Sequence, residues 1–238
     1  MFCAVVVGLF KCGMPGASTF AIPMLAGMFP ARLSTGVMLP MLIMGDALGV
    51  IYFHRHADWK VLLRLLPPSL AGIFLGYLLL GLPSMDDKVI RILIGVIVLA
   101  LSALGFCSDW LKKTLDGASG TLMLIMGLFF GLLAGLTTML ANAAGPVVLI
   151  YLLTMQLPKD AFLGTSTWFF MLLNWCKVPF MLHRQMITVA SLQFNARLFP
   201  GIFLGAMLGI ILSTWLSNRG FNFWVRILTI IAALKLFF

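Results

Sequence analysis

Glutamate is absent from this chain, and its seven acidic residues are all aspartates. Charge of either sign is scarce: charged residues make up 10% of the 238 positions, against roughly 25% in a soluble globular protein. Apolar residues make up 62%, more than a water-soluble chain of this length can hide, so lipid must be the solvent. The four cysteines (Cys3, Cys12, Cys107, Cys176) lie in or beside apolar runs and form no C-x-x-C pair. They read as small apolar fillers, and neither a disulfide nor a metal site is expected. An intramembrane enzyme would need a nucleophile–base pair or converging metal ligands at depth. With no glutamate, histidines only at segment edges and scattered cysteines, the sequence argues against an enzyme and predicts no cofactor. The net charge of +9 does not point to nucleic acid, because no basic run is interleaved with aromatics. Lys and Arg sit instead in short gaps between apolar runs, as interfacial snorkelling and the positive-inside tendency require. The N-terminus lacks the basic region and cleavage site of a secretory signal, so residue 1 onward is expected to belong to the mature membrane body.

What the chain does contain is a duplication. Gly72-Ile73-Phe74-Leu75-Gly76 recurs as Gly201-Ile202-Phe203-Leu204-Gly205, 129 positions later. Asp46 has its counterpart in Asn174, and Arg91-Ile92-Leu93 returns as Arg226-Ile227-Leu228. The expected fold class is all-α: a polytopic membrane protein of two homologous halves with four hydrophobic segments each. Residues 1–107 form the first repeat, 108–118 a polar linker and 119–238 the second repeat. Six runs read as ordinary membrane helices of about 20 residues: 33–53, 61–82, 88–107, 160–182, 190–216 and 221–237. The stripes Gly72/Gly76, Gly127/Gly131/Gly135 and Gly201/Gly205/Gly209 read as small-residue helix contacts rather than functional positions.

Each half opens abnormally. Ser119 to Leu153 is 35 residues without a charge. As one helix it would run about 52 Å, against a hydrocarbon core of about 30 Å. It must break, and Gly135 to Pro146 supplies the glycines and proline to break it. Gly13 to Pro23 repeats the pattern in the first half. Two geometries fit. Each opening segment is one interrupted span, giving parallel repeats; or each is a re-entrant hairpin (1–28 and 119–153), leaving three full spans per half and inverted repeats. The short arms favour inversion. Under both, Arg55, Lys60 and Arg64 share a face with Lys112 and Lys113, which marks that face as cytoplasmic.

Broken helices at matched places of a repeat point to a midplane binding site. Irregular backbone at membrane depth is tolerated only where protein or a water-filled cavity surrounds it. Ser18, Thr19, Thr137, Thr138 and Asn142 lie in these breaks, and a helix restarting there offers free N–H groups to an anion. Tight packing is the bland alternative for one such stretch, but two matched stretches favour a substrate site. Lys11 precedes the first break. Lys177 follows Asn174 on one helix face; as an anion ligand it competes with simple snorkelling. Thr165 opens the polar run Thr165-Ser166-Thr167, beside the second break by this reading. Asp46, in mid-segment, is the candidate proton-coupling group, with a hydrogen-bonded structural carboxyl as the bland reading. His54, His56 and His183 read as interfacial anchors.

The stretch Gly135 to Pro146, with the following Tyr151-Leu152-Leu153, resembles the second-repeat signature of the sulfite exporter TauE/SafE family. Gly13 to Pro23, followed by Arg32 and Thr35-Gly36, is similar to the first-repeat signature, although Gly-Met-Pro-Gly-Ala stands where a denser glycine run is usual. The resemblance covers essentially the whole chain. It implies a permease of the bacterial inner membrane for sulfite, sulfonates or related organosulfur anions, coupled to an ion gradient. The expected partners are a small anion and the lipid bilayer, with a homodimer left open. A membrane scaffold or an anion channel is the competing reading; a scaffold would not need matched polar breaks, and a channel would not saturate.

Overall fold

A computed structural model of the chain describes residues 1–13, 31–82, 88–89, 120–217, 220, 223–224 and 227. The expected segments 88–107 and 221–237, the linker and the first break lie wholly or mostly outside them. The described residues are helices joined by short turns. In chain order these are α1 (Phe2–Gly13), α2 (Ala31–Phe53), α3 (Trp59–Leu79), α4 (Gly120–Ala141), α5 (Ala144–Thr154), α6 (Lys159–His183) and α7 (Val189–Trp215). Thr35–His56, Trp59–Leu79, Gly120–Leu140 and Val189–Trp215 are long and apolar enough to cross a membrane. The protein is a multi-helix membrane protein.

The polar gaps work as caps. Asp58 accepts from Lys60 N at 2.9 Å and Val61 N at 3.1 Å, which starts α3. Thr188 and Ser191 form a reciprocal capping box that starts α7. Lys159 Nζ donates to the carbonyls of Ser213 at 2.8 Å and Leu216 at 3.0 Å, satisfying groups that the end of α7 leaves open.

Glycine stripes bring two helix pairs into backbone contact. A Cβ on Gly135 would strike the Ser69 carbonyl, and one on Gly72 would strike the Leu132 carbonyl, so α3 and α4 lie against each other. Likewise a Cβ on Gly205 would strike the Val5 carbonyl and one on Gly8 the Ile202 carbonyl, joining α1 to α7. Without a hydrophobic driving force between helices in lipid, close packing of this kind is what holds them. Helices α2 and α6 pack on each other. The pairing is reciprocal: the opening helix of each part of the chain packs on a later helix of the other part.

The contacts also fix the run of each helix. Gly164 sits against Phe53 and Ala57, and Asp58 N donates to Thr165 Oγ1 at 2.8 Å, so α6 begins at the 54–58 end of the bundle. It finishes at the opposite end, where Tyr77 Oη lies 3.0 Å from His183 Nδ1. Thus α3 and α6 run from the 54–58 end to the 183–188 end, and α2 and α7 run back. In α4, Gly131 lies beside Leu65 and Gly76 beside Met139, so α4 runs with α3. Gly205 of α7 lies beside Val5 and Gly209 beside Gly13, so α1 runs with α7, toward the 54–58 end.

The charge-free stretch breaks at Asn142, inside the expected interval. Asn142 takes φ 55°, a left-handed conformation that asparagine adopts far more readily than most residues. After it the chain doubles back. Tyr151 returns to within 5.9 Å of Phe130, ring centroid to centroid, although 21 positions separate them. The arms are unequal rather than similar in length. Helix α4 continues through Gly135 because that glycine serves packing, and all of α5 is buried.

Candidate functional site

Helix α6 carries a buried face of Leu163, Thr167, Phe170, Asn174, Lys177 and Met181, at the three- and four-residue spacing that aligns side chains on a helix. Two polar groups meet this face one turn apart. In the first, Asp46 of α2 is fully buried and uses both oxygens. Lys11 Nζ of α1 lies 2.7 Å from its Oδ1, and Asn174 Nδ2 donates to its Oδ2 at 2.7 Å. Lys11 Nζ also stands 4.4 Å from the centre of the Phe170 ring, a favourable place for a cation. Cys12 Sγ points at the Gly45 carbonyl at 3.6 Å. Gly45 lets this pair form, since a Cβ there would crowd Lys11 Cβ and Cγ at 3.2 Å.

The second group sits at the helix break. Lys177 is fully buried, so it does not snorkel. Its Nζ donates to Thr138 Oγ1 at 2.9 Å, to the Thr138 carbonyl at 3.2 Å and to Asn142 Oδ1. Asn142 Nδ2 in turn donates to the Thr35 carbonyl at 2.9 Å, tying the break to the start of α2. Helix α5 restarts just after Asn142 with no side chain capping its N-terminus. Its first N–H groups add partial positive charge beside the Lys177 ammonium.

The two lysines are in different electrical states. Lys11 has a carboxylate. Lys177 has three hydrogen-bond acceptors, and all three are neutral. Lys11–Asp46 is the one ion pair among the described residues. The Lys177 amine therefore has its hydrogen bonds but, among the described residues, no carboxylate at ion-pair distance. A proton on a lysine buried in that state is costly, and a bound anion would offset the cost.

Of the candidate residues, the structure brings Thr138, Asn142 and Lys177 together and places Lys11 and Asp46 one turn away. Thr137 is buried beside them, but its hydroxyl donates back to the carbonyls of Leu133 at 2.7 Å and Ala134 at 3.2 Å. Thr165 is not at the break. It lies at the 54–58 end of α6, some 18 Å along the helix from Lys177 at about 1.5 Å per residue, and accepts from Asp58 N. The reason is that α6 starts at Lys159, so the polar run falls in its second turn and packs on the 54–58 turn. Ser18 and Thr19 lie outside the described residues. Sequence reasoning matched Asn174 to Asp46 without foreseeing that they touch, and it quoted Thr35 only within the Thr35-Gly36 signature, without foreseeing that its carbonyl accepts from Asn142.

The sequence model of the family described as Sulfite exporter TauE/SafE matches residues 1–236. The chain belongs to the TauE/SafE family. No curated protein and no solved structure matches the chain. TauE/SafE proteins are membrane exporters of sulfite and organosulfur compounds, so this protein is a permease of a transporter family.

Proposed function

We infer that the protein is a secondary transporter that binds a small sulfur oxyanion, sulfite or a sulfonate, at Lys177, Thr138, Asn142 and the N-terminus of α5, and moves it down or against an ion gradient. The observation that carries this reading is the fully buried Lys177 amine, whose bonding partners among the described residues are all neutral acceptors. An oxyanion can replace those acceptors one for one. Each hydrogen bond to a charged group is worth roughly 1.5–3 kcal/mol net, enough to hold the anion without trapping it. Ser18 and Thr19 belong to the same proposal as the first half's contribution, from the matching place in the repeat.

The halves are read as inverted repeats. In support, α1 and α4 run in opposite directions, as do α2 and α6, and α3 and α7. Alternating access then follows from one half rocking against the other around the site. The cluster Arg55, Lys60 and Arg64 supports reading the 54–58 end as the cytoplasmic face of a bacterial inner membrane.

The test is flux in proteoliposomes. Sulfite and ethanesulfonate should enter or leave saturably, faster under an imposed proton or sodium gradient, while Lys177→Met should reduce flux to the empty-vesicle level. Wild-type flux in Lys177→Met removes the site from this place. Flux that never saturates makes the protein a channel, and no flux with any sulfur anion removes the carrier reading.

A further inference from the structure

The two buried lysines and one buried carboxylate set a charge rule. Asp46 neutralises Lys11 at 2.7 Å and is completed by Asn174, so that trio has no net charge beyond its dipoles. A proton on Lys177, which a bound anion would favour, adds one positive charge, and among the described residues its bonding partners are all neutral. Among the described residues, the charged side chains that approach Lys177 are Asp46 from α2 and Lys11 from α1. Helix α4 brings Thr138 and no charged residue, and α5 brings none. Tyr77 of α3 is engaged with His183 at the 183–188 end instead. At membrane depth, one negative charge entering this place leaves it neutral. A second would remain unpaired in a low-dielectric interior, where an unpaired charge is more costly than the added attraction returns.

We propose that the site accepts its oxyanion only in the singly charged form: a sulfonate as it is, and sulfite as hydrogen sulfite. Sulfite exchanges its second proton near neutral pH, so anion and proton arrive together as hydrogen sulfite. This also gives proton-gradient dependence for sulfite without any proton leaving Asp46, whose role becomes that of a fixed countercharge setting the permitted charge. Sulfate and other permanent dianions are refused on charge although their oxygens match in size and geometry. The inference rests on Lys177 being the anion site.

The experiment measures ligand affinity of the purified full chain by calorimetry from pH 6 to pH 9, with ethanesulfonate, sulfite and sulfate. Ethanesulfonate affinity should stay level. Apparent sulfite affinity should fall about tenfold per pH unit above its second dissociation, following the hydrogen sulfite fraction. Sulfate should bind at least about tenfold more weakly than ethanesulfonate throughout. A charge-shifting pair completes the test. Asp46→Asn raises the local charge by one and should admit sulfate, a gain that misfolding cannot imitate. Lys11→Met added to Asp46→Asn restores the original charge and should exclude sulfate again. Sulfite affinity that is level with pH, sulfate binding equal to ethanesulfonate in the wild type, or exclusion of sulfate by a folded Asp46→Asn each overturns the charge rule while leaving Lys177 as an anion site. If none of the three anions binds, the anion-site reading falls and the charge rule falls with it.

Discussion

Asn174 Nδ2 donates to Asp46 Oδ2 at 2.7 Å, and these are the two residues that the internal duplication equates. A residue and its repeat counterpart can touch only where the axis relating the halves passes between them. The contact supports inverted halves, because α2 and α6, which carry the pair, run in opposite directions. It also explains why the two places hold different residues. Two aspartates would face each other as like charges at depth, whereas Asp and Asn give one acceptor and one donor.

Topology is the first prediction. Single cysteines at His56 and Val189, in a background without the native cysteines, should react with impermeant reagents from opposite sides of the membrane. The basis is that the 54–58 and 183–188 turns lie at opposite ends of α6. Labelling of both from the same side would sink the inverted arrangement.

The Lys11–Asp46 pair makes the second. Removing one partner of a buried ion pair leaves an unpaired charge and costs about 3–5 kcal/mol. Lys11→Met should therefore lower the detergent melting temperature clearly, and Lys11→Met with Asp46→Asn should recover most of the loss. Additive losses in the double variant would show that the two side chains act independently.

Much of this was legible in the chain, and the reasons differ by residue. The break near Asn142 was legible because a charge-free stretch too long for the bilayer must interrupt itself. Lys177 and Asn174 were legible as one face because helical spacing alone fixes that. The partner of Lys11 was not, since the rotation of α1 against α2 is decided by contacts at Gly45 and Phe170 that no local pattern records. The place of Thr165 was misjudged for a similar reason. The helix start was expected within a residue of where it lies, but tertiary packing against Asp58, which no local pattern records, gives that hydroxyl its partner.

Glycine packing gives a third prediction. A Cβ at Gly135 meets the Ser69 carbonyl and has no flexible side chain to displace, whereas a Cβ at Gly120 meets nothing within 4 Å. Gly135→Ala should lower yield and melting temperature, and Gly120→Ala should leave both near wild type or slightly raised, because alanine favours helix by about 1 kcal/mol over glycine. Equal behaviour of the two would mean that α3 and α4 do not approach as closely as described.

The last prediction separates a binding role for Asn142 from a backbone role. Leucine at this position is a poor probe, because a non-glycine residue without a short polar side chain pays about 1–2 kcal/mol in the left-handed conformation. Aspartate tolerates that conformation nearly as well as asparagine and has the same shape. Asn142→Asp gives Lys177 the countercharge it lacks, and at the same time replaces the donor that faced the Thr35 carbonyl with an acceptor. These two changes oppose each other in stability, so the melting temperature should move by only a few degrees. Their effect on an anion does not cancel. The carboxylate now occupies Lys177 and repels a second negative charge; at about 4 Å and an effective dielectric near 20 that repulsion is about 4 kcal/mol, or roughly a thousandfold in affinity. Calorimetry with ethanesulfonate should therefore show binding lost in a protein that still folds. If Asn142→Asp binds the sulfonate with wild-type affinity, Lys177 holds no substrate and the break serves packing alone.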